Sequence, residues 1–264
     1  MINLFFNIKD LCVAYNGYFV LLGVSFRIKK GEFIAIAGPN GAGKSTLLRT
    51  LAGLKQPNSG SIQLDGRALS DYPRRFIAKL IAVIFQDFSC SYDFTVFDIV
   101  AMGRNPFLTR WKPLSVNDRA IIANVMELTK VSHLSDRLFF DLSSGEKQRV
   151  IIAKALAQQP ALLLLDEPST HLDLHHQVNV FNILGRLNRL NNVTVVCITH
   201  DVTLAAQYAN RFLLLSSGRL LADGTAEEVI HQQLMENLFN TALSIGMITE
   251  THTPYILPIR NKCT

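Results

Sequence analysis

Five short and almost continuous apolar runs recur along the chain, with more polar segments between them. The runs are FIAIA (residues 33–37), IAVIF (81–85), ALLLL (161–165), VTVVCI (193–198) and FLLLS (212–216). A run that is apolar at every position predicts a strand covered on both faces, as in the parallel sheet of an α/β protein.

Helical periodicity fills several gaps between these runs. Residues 44–52 are predicted to form a helix that Gly53 stops, and residues 115–131 a helix with Ser115 as its N-cap. Thr225 and Glu228 have the spacing of a capping box and open a predicted helix over residues 226–239. Two apolar stripes mark helix faces, one within residues 115–131 and one between two strands: Ile121, Ile122, Val125 and Leu128, and Val178, Phe181, Leu184 and Leu187.

Three segments depart from this alternation. Residues 11–15 and 21–28 are separated by NGY and predict antiparallel strands, so that a small β portion precedes the α/β core. Residues 86–114 are rich in aromatic side chains and are predicted to begin a helical subregion that runs to about residue 158. A short β segment is predicted in TETHTPYILPI, near the end of the chain.

Composition narrows the class of protein. The chain has 264 residues, of which 48% are hydrophobic and 18% charged, which favours a well-packed fold over disorder. No secretory signal or apolar run of roughly 20 residues is apparent, so we expect a soluble protein or one held at a membrane by another protein. The cysteines lack metal-ligand spacing and indicate free thiols in a reducing compartment. A net charge of +5 suits an acidic surface, a nucleotide or lipid headgroups without choosing among them.

GPNGAGKST (residues 38–46) matches the pattern G-x-x-x-x-G-K-[ST] in full, between a predicted strand and a predicted helix. Glycines such as Gly38 and Gly43 let backbone N–H groups turn toward the β- and γ-phosphates of a nucleotide. Lys44 neutralises phosphate charge, and the hydroxyl of Ser45 is placed to ligate Mg²⁺. The pattern therefore predicts a nucleotide site.

LLLLDEP (residues 162–168) supplies the acidic partner of such a site. Asp166, at the end of a buried strand, can hold Mg²⁺, and Glu167 is positioned to orient or deprotonate an attacking water. Together with the glycine-rich loop, these residues predict a nucleoside triphosphate hydrolase. A second anion-binding helix start is predicted in LSSGEKQRV (residues 142–150), where small residues precede a helix.

In chain order, GPNGAGKST, Gln86, LSSGE, LLLLDEP, STHLD and His200 resemble the ATP-binding cassette of ABC transporters over about residues 4–224. The resemblance implies an α/β fold: a P-loop NTPase core with a mostly parallel sheet and flanking helices, a small N-terminal antiparallel β portion, and an α-helical subdomain that carries the ABC signature. It implies one ABC ATPase domain over residues 1–264. The expected parts are a nucleotide-binding core (1–86 with 159–224), a helical signature subdomain (87–158), and a C-terminal helix and β tail (225–264).

The resemblance also implies roles for individual residues. Catalysis is expected to involve Glu167, His200, Lys44 and Gln86. ATP is expected to contact Tyr15, Gly38, Pro39, Asn40, Gly41, Ala42, Gly43, Lys44, Ser45 and Thr46, and Mg²⁺ to contact Ser45, Gln86 and Asp166. Because two cassettes pair head to tail in this family, Ser143, Ser144, Gly145, Glu146 and Asp173 are expected to contact the ATP of a second copy.

Some assignments leave alternatives open. Tyr15 matches the aromatic residue that stacks on adenine, with Tyr18 as a weaker candidate and a strand-core role as the alternative for Tyr15. The signature has Ser144 where glycine is commonest and Glu146 where glutamine is common, and activity is expected to survive both.

The histidines near the STHLD segment have two interpretations. His171 and His175 have the i, i+4 spacing of metal ligands, but a helix surface or a dimer interface explains His171, His175 and His176 as well. The segment also resembles a form common in importer ATPases for iron complexes, which favours the second interpretation.

The segment TVFDIVAMGRNPFLTRWKP (residues 95–113) resembles ATPases that serve iron–siderophore, haem and cobalamin importers. This resemblance implies that ATP binding and hydrolysis in a head-to-tail dimer drive uptake of such a cargo through separate permease subunits. The chain would then lie peripherally on the cytoplasmic face of the inner membrane, with a periplasmic or surface substrate-binding protein as an indirect partner and no nucleic acid. The nearby aromatic residues Phe88, Tyr92, Phe94 and Phe97 either receive a permease helix or belong to the core.

Other functions are weaker interpretations of the same residues. An importer of another metal, an oxyanion or a small solute would use the same cassette, and exporters often fuse theirs to membrane helices. ABC proteins that act on nucleic acid carry long insertions or a second cassette, which this chain lacks. A P-loop kinase would not need LSSGE or His200, and a nucleotide-sensing scaffold would not need Glu167.

Overall fold

A computed structural model describes residues 4–86, 93–109 and 113–259 of the chain. The described residues divide into two compact units. The terminal unit comprises those of Met1–Asp71 and Thr194–Thr264, and the middle unit comprises those of Tyr72–Val193.

Helices and strands alternate through both units. The strands are β1 Leu4–Tyr15, β2 Tyr18–Lys29, β3 Phe33–Ala37, β4 Ser59–Leu64, β5 Arg67–Ala68, β6 Ile81–Ile84, β7 Leu162–Asp166, β8 Thr194–Ile198, β9 Arg211–Ser216, β10 Arg219–Gly224, β11 Leu243–Ile248 and β12 Thr253–Pro258. The α-helices are α1 Lys44–Leu51, α2 Arg74–Leu80, α3 Val96–Ala101, α4 Val116–Leu128, α5 Ser144–Ala157, α6 Leu174–Asn191, α7 Val202–Ala206, α8 Ala226–Val229 and α9 Gln232–Phe239. Single 3₁₀ turns cover Leu69–Asp71, Met102–Arg104, Ser132–Leu134 and Phe139–Asp141.

The apolar runs of the sequence are the strands of the α/β core, as predicted. In the terminal unit β3 lies between β8 and β9 and is parallel to both, and β10 pairs with β9 in the antiparallel direction. In the middle unit β6 and β7 are parallel neighbours. Every residue of β3, β7 and β8 is buried, which explains why these strands are apolar throughout.

The predicted N-terminal β portion is an antiparallel sheet with the order β2-β1-β4-β5. Strands β1 and β2 form a hairpin around Asn16 and Gly17, which have φ of 49° and 85°. Positive φ at both central residues is what a two-residue hairpin turn requires, and Asn-Gly adopts it at low cost. The sequence reasoning missed β4 and β5, which complete this sheet.

The middle unit has a helical core of its own. It is formed by α3, α4, α5 and the 3₁₀ turns that connect them, around Val96, Ile99, Ile122 and Val150. The helical subregion predicted to run to about residue 158 is therefore present, and α5 ends at Ala157. Helix α4 begins with Ser115 as its N-cap, as predicted. It ends at Leu128, earlier than predicted, and Lys130 has the left-handed φ of 57°.

The Gly-Arg pair of the importer-like segment has a packing role inside the middle unit. The Arg104 Nε donates to Asp118 Oδ1 over 2.8 Å, and its Nη1 donates to the Ala157 carbonyl over 2.7 Å. Both Arg104 and Asp118 are buried. Next to them, a Cβ on Gly103 would overlap the carbonyl oxygen of Lys154. These two residues therefore join the segment after α3 to α4 and α5.

The C-terminal part of the chain differs from the prediction. Instead of one helix over residues 226–239, the structure has α8 and α9 separated by Ile230, whose φ of −92° and ψ of 77° are not helical. The side chain of His231 accepts the Leu234 N–H and so begins α9 as a new helix. The β segment predicted after it is β12, but its partner β11 was missed.

Within the described residues, no helix is both long enough and apolar enough to span a bilayer. The longest helix, α6, has 18 residues and carries His175, His176 and Arg189 along its length.

The buried ion pair predicts a large loss of stability on removal of one partner. Replacing Arg104 by Ala leaves Asp118 buried without its guanidinium, so the free energy of unfolding should fall by about 3 kcal/mol. Urea unfolding measures this loss, and Arg186→Ala, at an exposed position of the same unit, is the matched control. Equal losses in the two variants would contradict the role of the ion pair.

The same pair predicts how this stability depends on pH. Hydrogen bonds from the side chain of Ser115 and then from Arg104 hold the pKa of Asp118 below its usual value. A lowered carboxyl pKa stabilises the fold above the pKa of the unfolded chain and loses this effect as the pH falls through the folded pKa. The stability difference between the parent and Asp118→Asn should therefore be largest near neutral pH and shrink in acid.

Candidate functional site

The glycine-rich loop of the terminal unit follows directly from the buried strand β3. Gly38, Gly41 and Gly43 have φ of 152°, 78° and 97°, which L side chains rarely adopt. A Cβ on Gly38 would overlap the carbonyl oxygen of Leu215, and one on Gly43 would lie 2.8 Å from the carbonyl oxygen of Val20. The path of the loop therefore depends on the absence of side chains at these glycines.

Helix α1 begins at this loop with an end suited to an anion. Its N-cap is Gly43, which makes no side-chain cap, and its first turn contains no acidic residue. The first N–H groups of a helix have no partner within the helix, and its dipole favours negative charge there. The predicted ATP contacts from Gly38 to Thr46 thus lie together in one loop and one helical turn.

Lys44 points back into the loop that precedes it. Its Nζ donates to the carbonyl oxygens of Gly38 and Pro39 over 2.8 and 3.0 Å, and the residue is only 6% exposed. The carbonyl oxygens thus hold the buried ammonium group inside the loop. A phosphate group bound there would pair with its positive charge. Ser45, the next residue, is exposed at the first turn of α1.

His200 leaves the neighbouring strand at the same edge of the terminal unit. Strand β8 is parallel to β3 with Ile198 opposite Ile36, and the Thr199 N–H donates to the Ile36 carbonyl over 3.2 Å. Ligands of open α/β sheets bind at the carboxyl ends of the strands. His200 is exposed and lies two residues beyond the end of β8. It therefore follows its strand in the same way that the glycine-rich loop follows β3.

Tyr15 ends β1 at the hairpin of the terminal unit and is 39% exposed, so it is not a core residue. The Lys55 Nζ lies 4.4 Å from the centroid of its ring. Tyr18, opposite Tyr15 across the turn, is 81% exposed. Both rings are accessible for stacking, and Tyr15 has the cation beside it.

The middle unit brings three predicted site residues to one edge of its strands. Asp166 is the last residue of β7 and is 5% exposed. Glu167 follows with the left-handed φ of 53°, and its Oε2 accepts the Thr170 hydroxyl over 3.1 Å. Since Ile84 of β6 is opposite Leu165 of β7, the exposed Gln86 emerges at the same edge. A non-glycine residue at positive φ directly after a buried strand is typical of a functional site.

The donors predicted for Mg²⁺ suit that ion chemically. Ser45, Gln86 and Asp166 offer hydroxyl, amide and carboxylate oxygens, and Mg²⁺ is usually bound by one or two carboxylates together with waters and substrate phosphates. Among the described residues, no group of three or more His, Cys, Asp or Glu side chains could hold a metal ion.

The signature is the start of α5, with Ser143 as its N-cap. The Ser143 Oγ accepts the Glu146 N–H over 3.4 Å, and Glu146 Oε2 accepts the Ser143 N–H over 2.9 Å, which forms a capping box. The Ser143 hydroxyl also donates to Glu146 Oε2 over 2.7 Å. The side-chain bond from Ser143, and then its backbone bond, hold the pKa of Glu146 below its usual value. The Glu146 carboxylate thus accepts the hydrogen bonds that Ser143 donates, at a helix end that is predicted to bind phosphate.

The two central signature positions differ in their surroundings. Ser144 is the first residue of α5 and is exposed, whereas Gly145 is buried. A serine at position 144 therefore needs no special conformation or space. Asp173, which is predicted to contact the ATP of a second copy, is the N-cap of α6 and accepts the His176 backbone N–H over 2.9 Å.

A cleft of about 370 Å³ on the middle unit was missed by the sequence reasoning. It is lined by Phe85, Met102 and Pro106, and by Ile151 and Lys154 of α5. The signal that could have revealed it is a second stripe along α5 and its C-cap, at residues 151, 154, 155 and 158.

Of the aromatic residues proposed for a receiving groove, the two in the described part of the chain do not line this cleft. Phe94 and Phe97 are partly buried and pack against the helical core of the middle unit. Phe88 and Tyr92 lie outside the described residues.

Comparisons with known proteins identify the family to which a chain with these loops is similar. The family described as "ABC transporter" matches residues 21–170. The chain is 36% identical over 254 residues to the ferric enterobactin transport ATP-binding protein FepC of Escherichia coli (strain K12), covering 95% of this chain and 93% of that protein. It is 37% identical over 252 residues to the hemin import ATP-binding protein HmuV of Thermobifida fusca (strain YX), covering 96% and 88%.

Solved structures resemble the chain over most of its length. A structure described as an inward-facing metal-chelate type ABC transporter contains a chain with a TM-score of 0.86 and 28% identity, covering 98% of this chain and 99% of that one. The ATP-binding cassette MJ0796, in a dimeric post-hydrolysis state bound to ADP and Pi, has a TM-score of 0.73 and 28% identity, covering 83% and 98%. With its glycine-rich loop, its acidic strand end and its signature helix in place, the chain belongs to the ABC transporter family.

Proposed function

We propose that the chain is the ATP-hydrolysing subunit of an ABC importer for an iron complex, such as a siderophore or haem. Relatives whose names state siderophore transport, petrobactin import or hemin import match more than nine tenths of the chain. They match it from the glycine-rich loop to the C-terminal strands, so the likeness is not confined to the motifs that all such ATPases share.

The observation that carries the ATPase part of this proposal is the uncapped start of α1. Its N-terminal N–H groups face a loop that closes only because Gly38 and Gly43 have no side chain. Lys44 is drawn into the same loop by two carbonyl oxygens that a phosphate would replace as its partners. A highly charged anion would accept hydrogen bonds from these N–H groups and pair with the ammonium group of Lys44.

The second copy of the chain completes each nucleotide site in this proposal. The signature at the start of α5 and Asp173 at the start of α6 both belong to the middle unit and both lie at helix N-termini. The dimeric cassette bound to ADP and Pi, to which the chain is similar, supports a head-to-tail dimer. In the dimer we propose for this chain, the signature of one copy covers the phosphates held by the glycine-rich loop of the other.

In this dimer each residue has a defined task. Glu167, held by the Thr170 hydroxyl, orients the attacking water and accepts its proton. Lys44 and His200 stabilise the negative charge that develops on the γ-phosphoryl oxygens. Mg²⁺, when bound with ATP through Ser45, Gln86 and Asp166, would neutralise further phosphate charge. Binding of ATP closes the dimer, and hydrolysis allows it to open.

The cleft on the middle unit is the surface we assign to the permease. Phe85 lines it directly before Gln86, which connects the cleft to the edge of β6 and β7. Most of the side chains that line it are apolar, and Asn105, Gln158 and the charged Lys154 are polar, which suits a short amphipathic helix. Such a partner would hold the chain peripherally on the cytoplasmic face of the membrane, with the cargo delivered by a substrate-binding protein.

The experiment that tests transport is capture of the partners. A tagged Glu167→Gln variant, with ATP and Mg²⁺, would be purified from detergent-solubilised membranes of the native host, and its partners identified by mass spectrometry. The proposal expects a multi-spanning permease in about equal amount. Recovery of soluble or nucleic-acid partners alone would overturn the importer and leave the ATPase.

Glu167→Gln should reduce the rate of ATP hydrolysis by at least about 100-fold while leaving ATP binding intact, because only the base for the attacking water is lost. Bound ATP should then hold the dimer closed, which gel filtration with and without ATP detects. Glu127→Gln removes an exposed carboxylate of the same unit and serves as the control. A variant that hydrolyses ATP at the parental rate would remove Glu167 from the mechanism.

Glu146→Gln should lower the ATP concentration for half-maximal dimer formation. It keeps a capping residue but removes a negative charge from the helix end, which is worth about 1 kcal/mol, or roughly fivefold. The titration is best made in the Glu167→Gln background, where ATP is not consumed. Ser144→Gly, at the exposed neighbouring position, should change the midpoint by less than about twofold. An unchanged midpoint in Glu146→Gln would place this carboxylate away from the partner's phosphates.

A further inference from the structure

His176 connects two segments of the middle unit that are distant in the sequence. It lies in the first turn of α6, where its Nδ1 is 2.7 Å from Asp173 Oδ1. The same oxygen accepts the His176 backbone N–H over 2.9 Å. Because a carboxylate only accepts hydrogen bonds, Nδ1 is the protonated ring nitrogen in this contact. The ring is thereby held in one orientation at the N-cap of α6.

The other side of the same ring lies against the signature. A Cβ built on Gly145 would be 2.6 Å from His176 Nε2 and 2.8 Å from its Cγ. Gly145 lies within α5, and its φ is outside the left-handed range, so its backbone conformation is open to any residue. The requirement for glycine at this position is therefore steric, and the imidazole of His176 is the group that imposes it.

The neighbouring histidine shows that this contact is specific. His175 is exposed, and its Nε2 lies 3.0 Å from Asn179 Nδ2, one turn further along α6. It meets His176 edge to face with 5.5 Å between the ring centroids. His175 thus contacts its own helix, whereas His176 reaches across to α5.

We propose that His176 is a positioning residue that couples the signature glycine Gly145 to the dimer-loop residue Asp173 within one chain. This inference rests on the proposed head-to-tail dimer, in which both segments meet the ATP of the second copy. The ring packs between the starts of α5 and α6 and fixes their relative position. Both helix starts would therefore contact that ATP together. Loss of the ring would let the two segments move independently and weaken the response of the dimer to ATP.

The charge of Asp173 is consistent with this role. The backbone hydrogen bond from His176, and then its side-chain bond, hold the pKa of Asp173 below its usual value. The carboxylate is therefore available as an acceptor for both bonds at neutral pH, and the ring keeps its orientation.

A double-mutant cycle in the Glu167→Gln background tests the coupling. Gly145→Ala places a methyl group where the ring lies and should raise the ATP concentration for half-maximal dimerisation at least tenfold. His176→Asn keeps an N–H donor for Asp173 but removes the ring, and should raise it about threefold. In the double variant the methyl group has room, so the midpoint should return to that of His176→Asn. His175→Asn is the matched control and should stay within twofold of the parent.

A second readout separates positioning from general damage. ATP binding to each monomeric variant should be unchanged, because Gly145 and His176 are not among the residues predicted to contact the ATP or Mg²⁺ of their own chain. A double variant as weak as Gly145→Ala would overturn the proposal, since the methyl group would then act on something other than the ring.

The proposal and the dimer can fail separately. If the Glu167→Gln parent does not dimerise with ATP, the proposed dimer fails. The contact is then judged by unfolding temperatures alone. Rescue of Gly145→Ala by His176→Asn in those temperatures supports the contact, and absence of rescue overturns it.

Discussion

The burial of strand β3 is the constraint on which the glycine-rich loop depends. Because β3 is apolar throughout and lies between two parallel neighbours, its carboxyl end has one position and one direction. From that point, the Leu215 carbonyl and strand β2 leave no space for side chains at Gly38 and Gly43. The uncapped end of α1 and the buried Lys44 follow from this path. A change in the packing of β3 would therefore reach the phosphate-binding groups through the backbone.

The middle unit applies the same rule to acidic groups. Strand β7 is buried along its whole length, so the chain emerges at Asp166 with its direction set, and Glu167 turns away at a left-handed φ. Positive φ costs a non-glycine residue of order 1 kcal/mol or more, and surrounding packing has to offset it. The Thr170 hydroxyl then limits the carboxylate to one region. Rigid strands thus place the reactive groups, and short loops orient them.

These dependences explain how much could be predicted from the sequence. The glycine-rich loop, the acidic strand end and the capping box of Thr225 and Glu228 are each contiguous and depend on local interactions, so the strands and helix starts that carry them were predicted correctly. The roles of their residues stay predictions. The break at Ile230 and the pairing of β11 with β12 depend on contacts between residues far apart in sequence, and both were missed. Arg104 illustrates the intermediate case. The importer-like segment that contains it was recognised in the sequence and indicated a surface for the permease. Its side chain instead forms hydrogen bonds with Asp118 and with the end of α5.

The signature shows why a motif has to be divided into its physical requirements. Its two central positions are usually written as equivalent glycines, yet position 144 is exposed and helical, whereas position 145 faces an imidazole ring. A backbone N–H is available at position 144 whatever the side chain, so serine there keeps the group that phosphate recognition uses. At position 145 the backbone N–H is also available, but the imidazole ring of His176 leaves no space for a side chain. Ser144 thus departs from glycine at a position without a steric limit, whereas Gly145 occupies a position that has one.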